Sequence, residues 1–322
     1  MNSTVLDEIK TEKGSRHIVH IINPASGSGR KFRRSLRKIS DLGEDVYLTK
    51  CEGDGGDFIA ELLTKDPYAH IVAHGGDGTM GEAAGGIMAA DAGATALFTG
   101  VPSGSGNDFL RYMYESKNVF GKVYKIDLIC ANGKYSTNVL NAGFDCSVVK
   151  EAERIRKFPV MSGGFSYVAG VAVTAFKKQT FKTTVTLSGI EGENDTYEEK
   201  IDDDFLLVAI ANGKYYGGGF MIAPLADTGD GYFEFVAARN VSLASFASLA
   251  AKFRAGAHID KSTGEAVERF KDILYYRRAR KISFDNISDI CYDGEIVETK
   301  KIDAEIVPAA IQYTPPKKVW TQ

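Results

Sequence analysis

The sequence lacks paired cysteines. Its four cysteines, Cys51, Cys130, Cys146 and Cys291, are scattered through 322 residues with no CxxC or other short ligand spacing. Neither a zinc site nor a disulfide framework is therefore predicted, and we expect a chain that works in a reducing compartment.

Targeting signals are also missing. The first 17 residues include acidic side chains and lack the apolar core of a signal peptide, so we expect a cytoplasmic protein. One run of 19 uncharged residues, Phe158–Phe176, approaches the length that spans a bilayer, but Pro159, Gly163 and Gly164 interrupt its first half. We expect it to be a buried helix, whose apolar side chains are suited to line a lipid pocket.

A basic excess is absent as well. The 39 basic and 42 acidic residues give a formal charge of -3, which argues against a nucleic-acid binder that works by bulk charge. No repeat of 20 to 50 residues is visible. The 44% hydrophobic and 25% charged fractions are typical of globular proteins, and the length predicts about two domains.

Glycine is abundant, with 34 copies where an average near 7% predicts fewer. In the first third, short apolar runs alternate with helical stretches, a βαβα rhythm. The predicted elements there are strands His17–Ile22, Asp45–Leu48 and Ala69–Ala73 and helices Lys31–Ile39 and Asp57–Leu63. The later strand-like runs are Tyr124–Cys130, Thr137–Asn141, Thr183–Leu187, Phe205–Ala211, Tyr232–Ala237 and Lys281–Phe284, with inserted helices over Lys150–Lys178 and, capped by Ser242, Leu243–Phe253.

Three glycine loops follow strand-like runs. The first, within residues 18–30, contains Asn23, Ser26 and Gly27 before a predicted helix. Glycines let backbone N–H groups approach phosphate oxygens, and the helix N-terminus favours negative charge. The loop is neither a P-loop nor a dinucleotide fingerprint, since Phe32 stands where a third glycine would be. An ordinary strand–turn–helix connection is an equal alternative for this loop alone.

The second and third loops each carry a carboxylate. His74–Thr79 reads HGGDGT, with Asp77 suited to hold Mg²⁺ directly or through water, or to form an Asx-type turn. Pro102–Arg111 reads PSGSGNDFLR and adds the hydrogen-bonding groups of Ser103, Ser105 and Asn107 and a second carboxylate, Asp108. Two carboxylates at adjacent strand ends predict a shared cation.

These motifs, NPASGSGR, GGDGT and PSGSGNDFLR, in this order, resemble the diacylglycerol kinase catalytic family, which includes sphingosine and ceramide kinases and bacterial soluble lipid kinases. The likeness continues through NVLNAGFD, APLADTGDGY and YDGE and covers nearly the whole chain from His17 to about Thr314. It implies an α/β plus β fold. An N-terminal α/β nucleotide domain like that of NAD kinase and phosphofructokinase is expected over 1–122, rejoined by about 309–322, with a C-terminal β-sandwich over 123–308.

The resemblance also implies site residues. Near the nucleotide it places Asn23, Ser26, Gly27 and Thr49, and around its phosphates Gly76, Gly78, Thr79, Ser103 and Ser105, with Asn107 in the same loop. Asp77, Asp108 and Asp230 would surround the catalytic Mg²⁺. A structural metal would lie on the loop of Asp227, Asp230 and Tyr232, held partly by main-chain carbonyls.

The Asp293-Gly294-Glu295 turn matches the family's acidic motif, in which the aspartate is a favoured general base and the glutamate reaches the nucleotide or metal. Asp77 is the other candidate base, and we favour Asp293. Taken alone, Asp293-Gly294 reads as a hairpin turn between Ile287–Cys291 and Ile296–Val297.

The sequence therefore predicts an ATP- and Mg²⁺-dependent kinase that phosphorylates a lipid hydroxyl, with diacylglycerol as the leading acceptor. NAD kinase shares GGDGT, but SGSGNDF and DGE favour the lipid kinase pattern. A non-catalytic lipid-binding or regulatory protein would have lost a catalytic carboxylate, and all five are present: Asp77, Asp108, Asp230, Asp293 and Glu295. We expect peripheral contact with the inner face of the membrane; a homodimer is compatible with the sequence.

Overall fold

A computed structural model describes residues 16–24, 36–37, 39–104, 106–156, 180–194 and 196–321 of the chain. The expected α/β plus β organisation is confirmed: a parallel sheet with intervening helices comes first, and antiparallel strands dominate the rest.

The first part of the described chain forms a parallel sheet in the order β2–β1–β3–β4. Its elements are β1 (Ile18–Ile22), β2 (Asp45–Leu48), α1 (Asp54–Lys65), β3 (His70–Gly75), α2 (Asp77–Ala89), β4 (Leu97–Pro102) and α3 (Asp108–Ser116). The three predicted strands and the second predicted helix are confirmed. Within the first predicted helix, residues 36, 37 and 39 are helical, and 31–35 and 38 lie outside the described residues. The helix continues over residues 40–42.

Helices α1 and α2 pack through glycines. A Cβ atom on Gly86 would clash with the carbonyl oxygen of Gly56 and would lie 3.0 Å from the Cβ of Ile59. Any side chain at residue 86 would force the helices apart, so glycine is required there by close approach rather than by backbone conformation.

The second part of the chain is built mainly from antiparallel strands. These strands are β5 (Tyr124–Ala131), β6 (Lys134–Ser136), β7 (Val139–Gly143), β8 (Phe181–Ser188), β9 (Glu198–Ala211), β10 (Tyr215–Tyr216), β11 (Phe220–Met221), β12 (Phe233–Arg239), β13 (Ile259–Asp260), β14 (Glu265–Ala266), β15 (Leu274–Ala279), β16 (Lys281–Asp285), β17 (Asp289–Tyr292), β18 (Glu295–Glu298) and β19 (Lys301–Tyr313). Its helices are α4 (Phe144–Arg156), α5 (Leu243–Ala255) and α6 (Lys318–Thr321), with a short 3-10 helix over Glu268–Phe270.

The predicted helix capped by Ser242 is confirmed as α5, since the Ser242 hydroxyl accepts the Ser245 amide at 3.2 Å. The helix predicted to start at Lys150 begins instead at Phe144. The first turns of this helix bury Phe144 and Val148 against the sheet. Their apolar residues therefore resemble those of a strand, which hid the start of the helix in the sequence. The uncharged run 158–176 lies outside the described residues.

Two apolar layers lie on opposite faces of β9 and β12. Along β12, Phe233 and Phe235 face a core enclosed by the antiparallel strands, while Val236 and Ala238 face a second layer covered by α4 and α5. The alternation follows from the two-residue period of a strand. Burial on both faces explains why the sequence shows unbroken apolar runs here.

The long strand β19 connects the two parts of the fold. Its first half pairs antiparallel with β16 and β5, and after a bulge between Val307 and Ile311 its end pairs parallel with β4 through Gln312 and Tyr313. Beyond it, Trp320 of α6 packs on β3 and β4 and donates a 2.9 Å hydrogen bond to Glu44. Among the described helices, none is long and apolar enough to cross a bilayer.

Candidate active site

Two glycine loops meet where β3 and β4 end. The amides of Ser103 and Gly104 both donate to the Gly75 carbonyl, at 3.0 and 3.2 Å. A Cβ on Gly104 would lie 2.5 Å from the Cα of Gly76, so the two loops touch backbone to backbone. The glycines are thus needed for close approach, and the parallel strands deliver both loops to one edge of the sheet.

Asp77 opens helix α2 and also caps helix α3. Its Oδ2 accepts the Asp108 amide at 3.1 Å, and its Oδ1 accepts the Phe109 amide at 3.0 Å. Asn107 is the N-cap residue of α3 but makes no side-chain capping bond. Its side-chain oxygen instead accepts the Gly104 N–H, and its side-chain nitrogen donates to the Gly104 carbonyl. Burial, reinforced by the Asp108 charge, raises the pKa of Asp77 to about 6.

Asp108 reaches from the first part of the fold to the second. Its side chain is buried, and its Oδ2 accepts the Gly218 amide at 2.7 Å. Gly218 lies between β10 and β11 in a three-glycine turn whose φ angles are all positive. Burial raises the pKa of Asp108, although the Gly218 hydrogen bond favours the charged form. The two carboxylates both lie next to Gly106. A Cβ atom added to Gly106 would lie 3.1 Å from Asp77 Oδ2 and 3.8 Å from Asp108 Oδ2.

Asp293 and Gly294 form the turn of the β17–β18 hairpin, with φ angles of 48° and 99°. Positive φ at both positions matches a type I′ turn. Asp293 and Gly294 are therefore a hairpin turn, as their local sequence predicts, and they also lie beside the candidate site. The Asp293 carboxylate accepts five hydrogen bonds, from the hydroxyl of Ser136, the amide and hydroxyl of Thr137, and the amides of Asn138 and Val139.

This turn packs against the first turns of α2. Asp293 Oδ2 lies 3.0 Å from where a Cβ on Gly81 would be, and Glu295 Oε1 lies 2.6 Å from the corresponding point on Gly78. Burial is the main cause that raises the pKa of Asp293 to about 6, opposed by its hydrogen bonds and supported by the charge of Asp77. Burial also raises the pKa of Glu295, which lies 3.4 Å from the Lys134 ammonium.

Glu82 belongs to the same surface, although it lies outside the glycine-loop motifs of the sequence. It accepts the Gly53 amide at 2.9 Å, and its Oε2 lies 3.2 Å from the position of a Cβ on Gly55. Burial raises its pKa, and the neighbouring Glu295 adds to the shift. The available signal was its spacing: Glu82 follows Gly78 by four residues and so shares its helix face.

The predicted nucleotide residues fall at the carboxyl ends of the parallel strands. The Asn23 amide donates to the His74 carbonyl at 3.4 Å, and the Thr49 amide to the Ile22 carbonyl at 3.0 Å. The side chain of Thr79, on the first turn of α2, packs over Gly75. Ser26, Gly27 and Ser105 lie outside the described residues.

The structure therefore brings together Asp77, Asp108, Asp293 and Glu295. Asp230 belongs to a different cluster: it pairs with Arg278 and lies near Asp227, while the Tyr232 ring lies under the Arg278 guanidinium. Among the described residues, no group of three or more His, Cys, Asp or Glu side chains is arranged to hold a metal ion.

Comparison with known proteins agrees with this architecture. Residues 17–138 match the diacylglycerol kinase catalytic domain, and residues 138–314 match the YegS C-terminal NAD kinase beta sandwich-like domain. A Shewanella frigidimarina protein named "probable lipid kinase YegS-like" is 27% identical over 313 residues, covering 93% of this chain and 94% of that protein. A Yersinia pestis protein of the same name is 26% identical over 311 residues, with 92% and 96% covered.

A crystal structure of a diacylglycerol kinase from Bacillus anthracis superposes with a TM-score of 0.63 at 18% identity, covering 96% of this chain and 100% of that one. At this identity the likeness concerns the fold. The resemblance inferred from the glycine loops is confirmed by the two domain matches.

Proposed function

The chain belongs to the family of diacylglycerol kinase catalytic domains followed by a YegS-type β-sandwich, and from this membership we propose that it transfers the γ-phosphate of ATP, with Mg²⁺, to a lipid hydroxyl. Diacylglycerol is the proposed acceptor, because residues 17–138 match the diacylglycerol kinase catalytic domain and the similar Bacillus anthracis structure is named a diacylglycerol kinase. We also propose that the protein works at the inner face of the membrane.

The observation that carries this proposal is the convergence of Asp77, Asp108 and Asp293 beside the N-terminus of α2 and the glycine loops. Exposed backbone N–H groups at a helix N-terminus attract phosphate oxygens. Carboxylates beside such a site suit a divalent cation that bridges phosphates. The arrangement thus supplies the two things phosphoryl transfer needs from a protein, which are positioning and charge neutralisation.

In this proposal Asn23 and Thr49, with Ser26 and Gly27, contact the nucleoside. The phosphates lie along Gly76, Gly78 and Thr79 of one loop and Ser103, Ser105 and Asn107 of the other. Asp77 and Asp108 are the proposed side-chain ligands of the magnesium ion that neutralises phosphate charge when the nucleotide is bound. This assignment agrees with their shared border at Gly106.

We assign the acceptance of the hydroxyl proton to the neighbouring aspartates Asp293 and Asp77, with Asp293 as the first candidate. A base with a pKa near 6 is ionised at neutral pH yet still accepts a proton as the acceptor oxygen attacks. Asp293 is held in one position by five donors and must release one of them to accept the proton. Asp77 accepts two amides from α3 and keeps lone pairs free, so it is the alternative base. Glu295 completes the acidic wall beside Gly78.

The test is transfer of radiolabel from γ-labelled ATP into diacylglycerol presented in detergent micelles with Mg²⁺, resolved by thin-layer chromatography. A parallel reaction contains NAD. Labelled phosphatidate supports the proposal, and a different labelled lipid in a total extract changes only the acceptor. Label in NADP, or no label in any reaction despite measured ATP binding, would overturn it. The Asp77→Asn variant is the matched negative control.

A further inference from the structure

The loop over residues 224–232 carries Asp227, Asp230 and Tyr232, where the family resemblance implies a structural metal. The Asp227 carboxylate faces a protein cation: its Oδ1 accepts the Lys117 ammonium at 2.8 Å. The Tyr112 hydroxyl approaches the same oxygen at 3.4 Å. Lys117 follows helix α3, so this ion pair joins the two parts of the fold.

Asp230 has a second internal cation. Its Oδ2 pairs with the guanidinium of Arg278, and its Oδ1 accepts the Tyr232 amide at 3.0 Å. The same guanidinium also pairs with Glu191 and, at 3.1 Å, with the buried carboxylate of Glu234. Arg278 is therefore held by three carboxylates at once, and a bidentate or multiple carboxylate arrangement fixes a guanidinium in place.

The nearby carboxylate, Asp127, is also committed. Its Oδ1 accepts the Ala309 amide at 2.7 Å, and its Oδ2 accepts the Gly231 amide at 2.8 Å. A divalent cation bound by Asp227 would lie beside the Lys117 ammonium, and one bound by Asp230 would lie beside the Arg278 guanidinium. Each of these protein cations already neutralises its carboxylate and would repel the metal ion. The carboxylates at this loop are thus already neutralised or hydrogen-bonded by the protein itself, an arrangement that does not favour a resident metal ion.

We propose that Lys117 and Arg278 replace the structural metal in this protein and that the Lys117–Asp227 ion pair fixes the 224–232 loop against helix α3. The position of the second part of the fold relative to α3 then depends on two side chains that are always present. Divalent cation would be needed with the nucleotide and not for the fold. This inference does not depend on the identity of the phosphate acceptor.

Thermal unfolding of the full chain without nucleotide tests the proposal, with and without EDTA and with added Mg²⁺. A ligand that binds only the folded state raises the melting temperature, so removal of a resident metal lowers it. We expect the same melting temperature in EDTA and Mg²⁺ and no stoichiometric metal by elemental analysis. A fall in EDTA that Mg²⁺ reverses would overturn the proposal, whether or not the protein shows kinase activity.

Substitution separates the ion pair from a general effect of charge. Lys117→Met leaves Asp227 unpaired, so we expect a lower melting temperature that added Mg²⁺ partly restores; Lys117→Met with Asp227→Asn should recover part of the loss and lose the Mg²⁺ response. The matched control is Lys122→Met, because the Lys122 ammonium lies over the Tyr124 ring, 4.8 Å from its centroid. Equal behaviour of the two single variants would contradict the proposal. Should Lys117→Met not fold, the wild-type EDTA and metal measurements still decide.

Discussion

Asp77 accepts the backbone amide of Asp108 at 3.1 Å, so one candidate magnesium ligand caps the helix that carries the other. The two loops are therefore not independent: the position of α3 depends on a side chain at the start of α2. Because the cap is a carboxylate, it also complements the positive end of the α3 dipole. The geometry of the proposed cation site is built into the packing of two helix N-termini.

Replacing Asp77 by Asn tests the site while it keeps one oxygen to accept an amide. We expect kcat to fall by about 10²–10⁴-fold, because the charge that faces the phosphates is lost. Because Asn leaves one of the two α3 amides without an acceptor, we expect the free energy of unfolding, measured by urea denaturation, to fall by about 0.5–2 kcal/mol while the variant stays folded. Asp91→Asn is the control: Asp91 is exposed, and its φ of 52° is one that Asn tolerates. An active Asp77→Asn variant would remove Asp77 from the site.

The pH dependence of the rate follows from the raised pKa values of Asp77 and Asp293, each about 6. Both groups must be ionised in the proposed reaction, so kcat/KM, whose pH profile reports the free protein, should fall as the pH drops below about 6. Since the two groups interact, the profile gives apparent values for the pair. A flat profile between pH 5 and 7 would contradict the assignment.

The same two raised pKa values affect the free energy of unfolding in the opposite direction to the rate. A carboxyl whose pKa is higher in the folded state binds protons more strongly there, so these two groups favour folding more as the pH falls from 7 to 5. Protonation of these two groups should therefore lower the rate without unfolding the protein. Circular dichroism at each pH of the kinetic series checks that the protein stays folded.

The packing of α1 on α2 yields a prediction with a control one residue away. Gly86→Ala would clash with Gly56, and we expect it to lower the free energy of unfolding by about 1–3 kcal/mol through overpacking. Gly85→Ala has nothing within 4 Å of the added Cβ and should raise that free energy by about 0.5–1 kcal/mol, because alanine favours the helix. Urea denaturation of both variants measures the difference, and equal effects would disprove the packing argument.

Gly78 gives a prediction about the acidic turn. A Cβ there would meet Glu295 Oε1 at 2.6 Å and push the carboxylate away from the start of α2. We expect Gly78→Ala to lower kcat/KM for ATP by about 10- to 100-fold, as displaced catalytic groups do. Gly85→Ala, on the same helix, should keep the wild-type value. Unchanged kinetics in Gly78→Ala would show that the position of Glu295 does not matter.

Sequence periodicity located most strands, because burial on both faces leaves apolar runs such as Phe205–Ala211 and glycine loops mark where strands end. It placed the start of α4 wrongly, since the first turns of that helix are buried and look strand-like. The contacts of Asp293 with Ser136–Val139 join residues more than 150 positions apart, and no local pattern encodes them. Lys117 is similar: its partner Asp227 is 110 residues away, so only the fold reveals the ion pair.

The course of β19 has a consequence for biosynthesis. The parallel sheet of the first part of the fold gains the strand beside β4 from Gln312 and Tyr313, near the end of the chain. During translation this edge of β4 stays unpaired until Gln312 and Tyr313, about 210 residues further along the chain, have left the ribosome, although domains commonly fold as soon as they emerge. An unpaired edge strand invites association with other chains. A fragment that ends at residue 122 lacks this strand and should therefore aggregate, whereas in the longer chain the first sheet is completed only after the strands of the second part have been made.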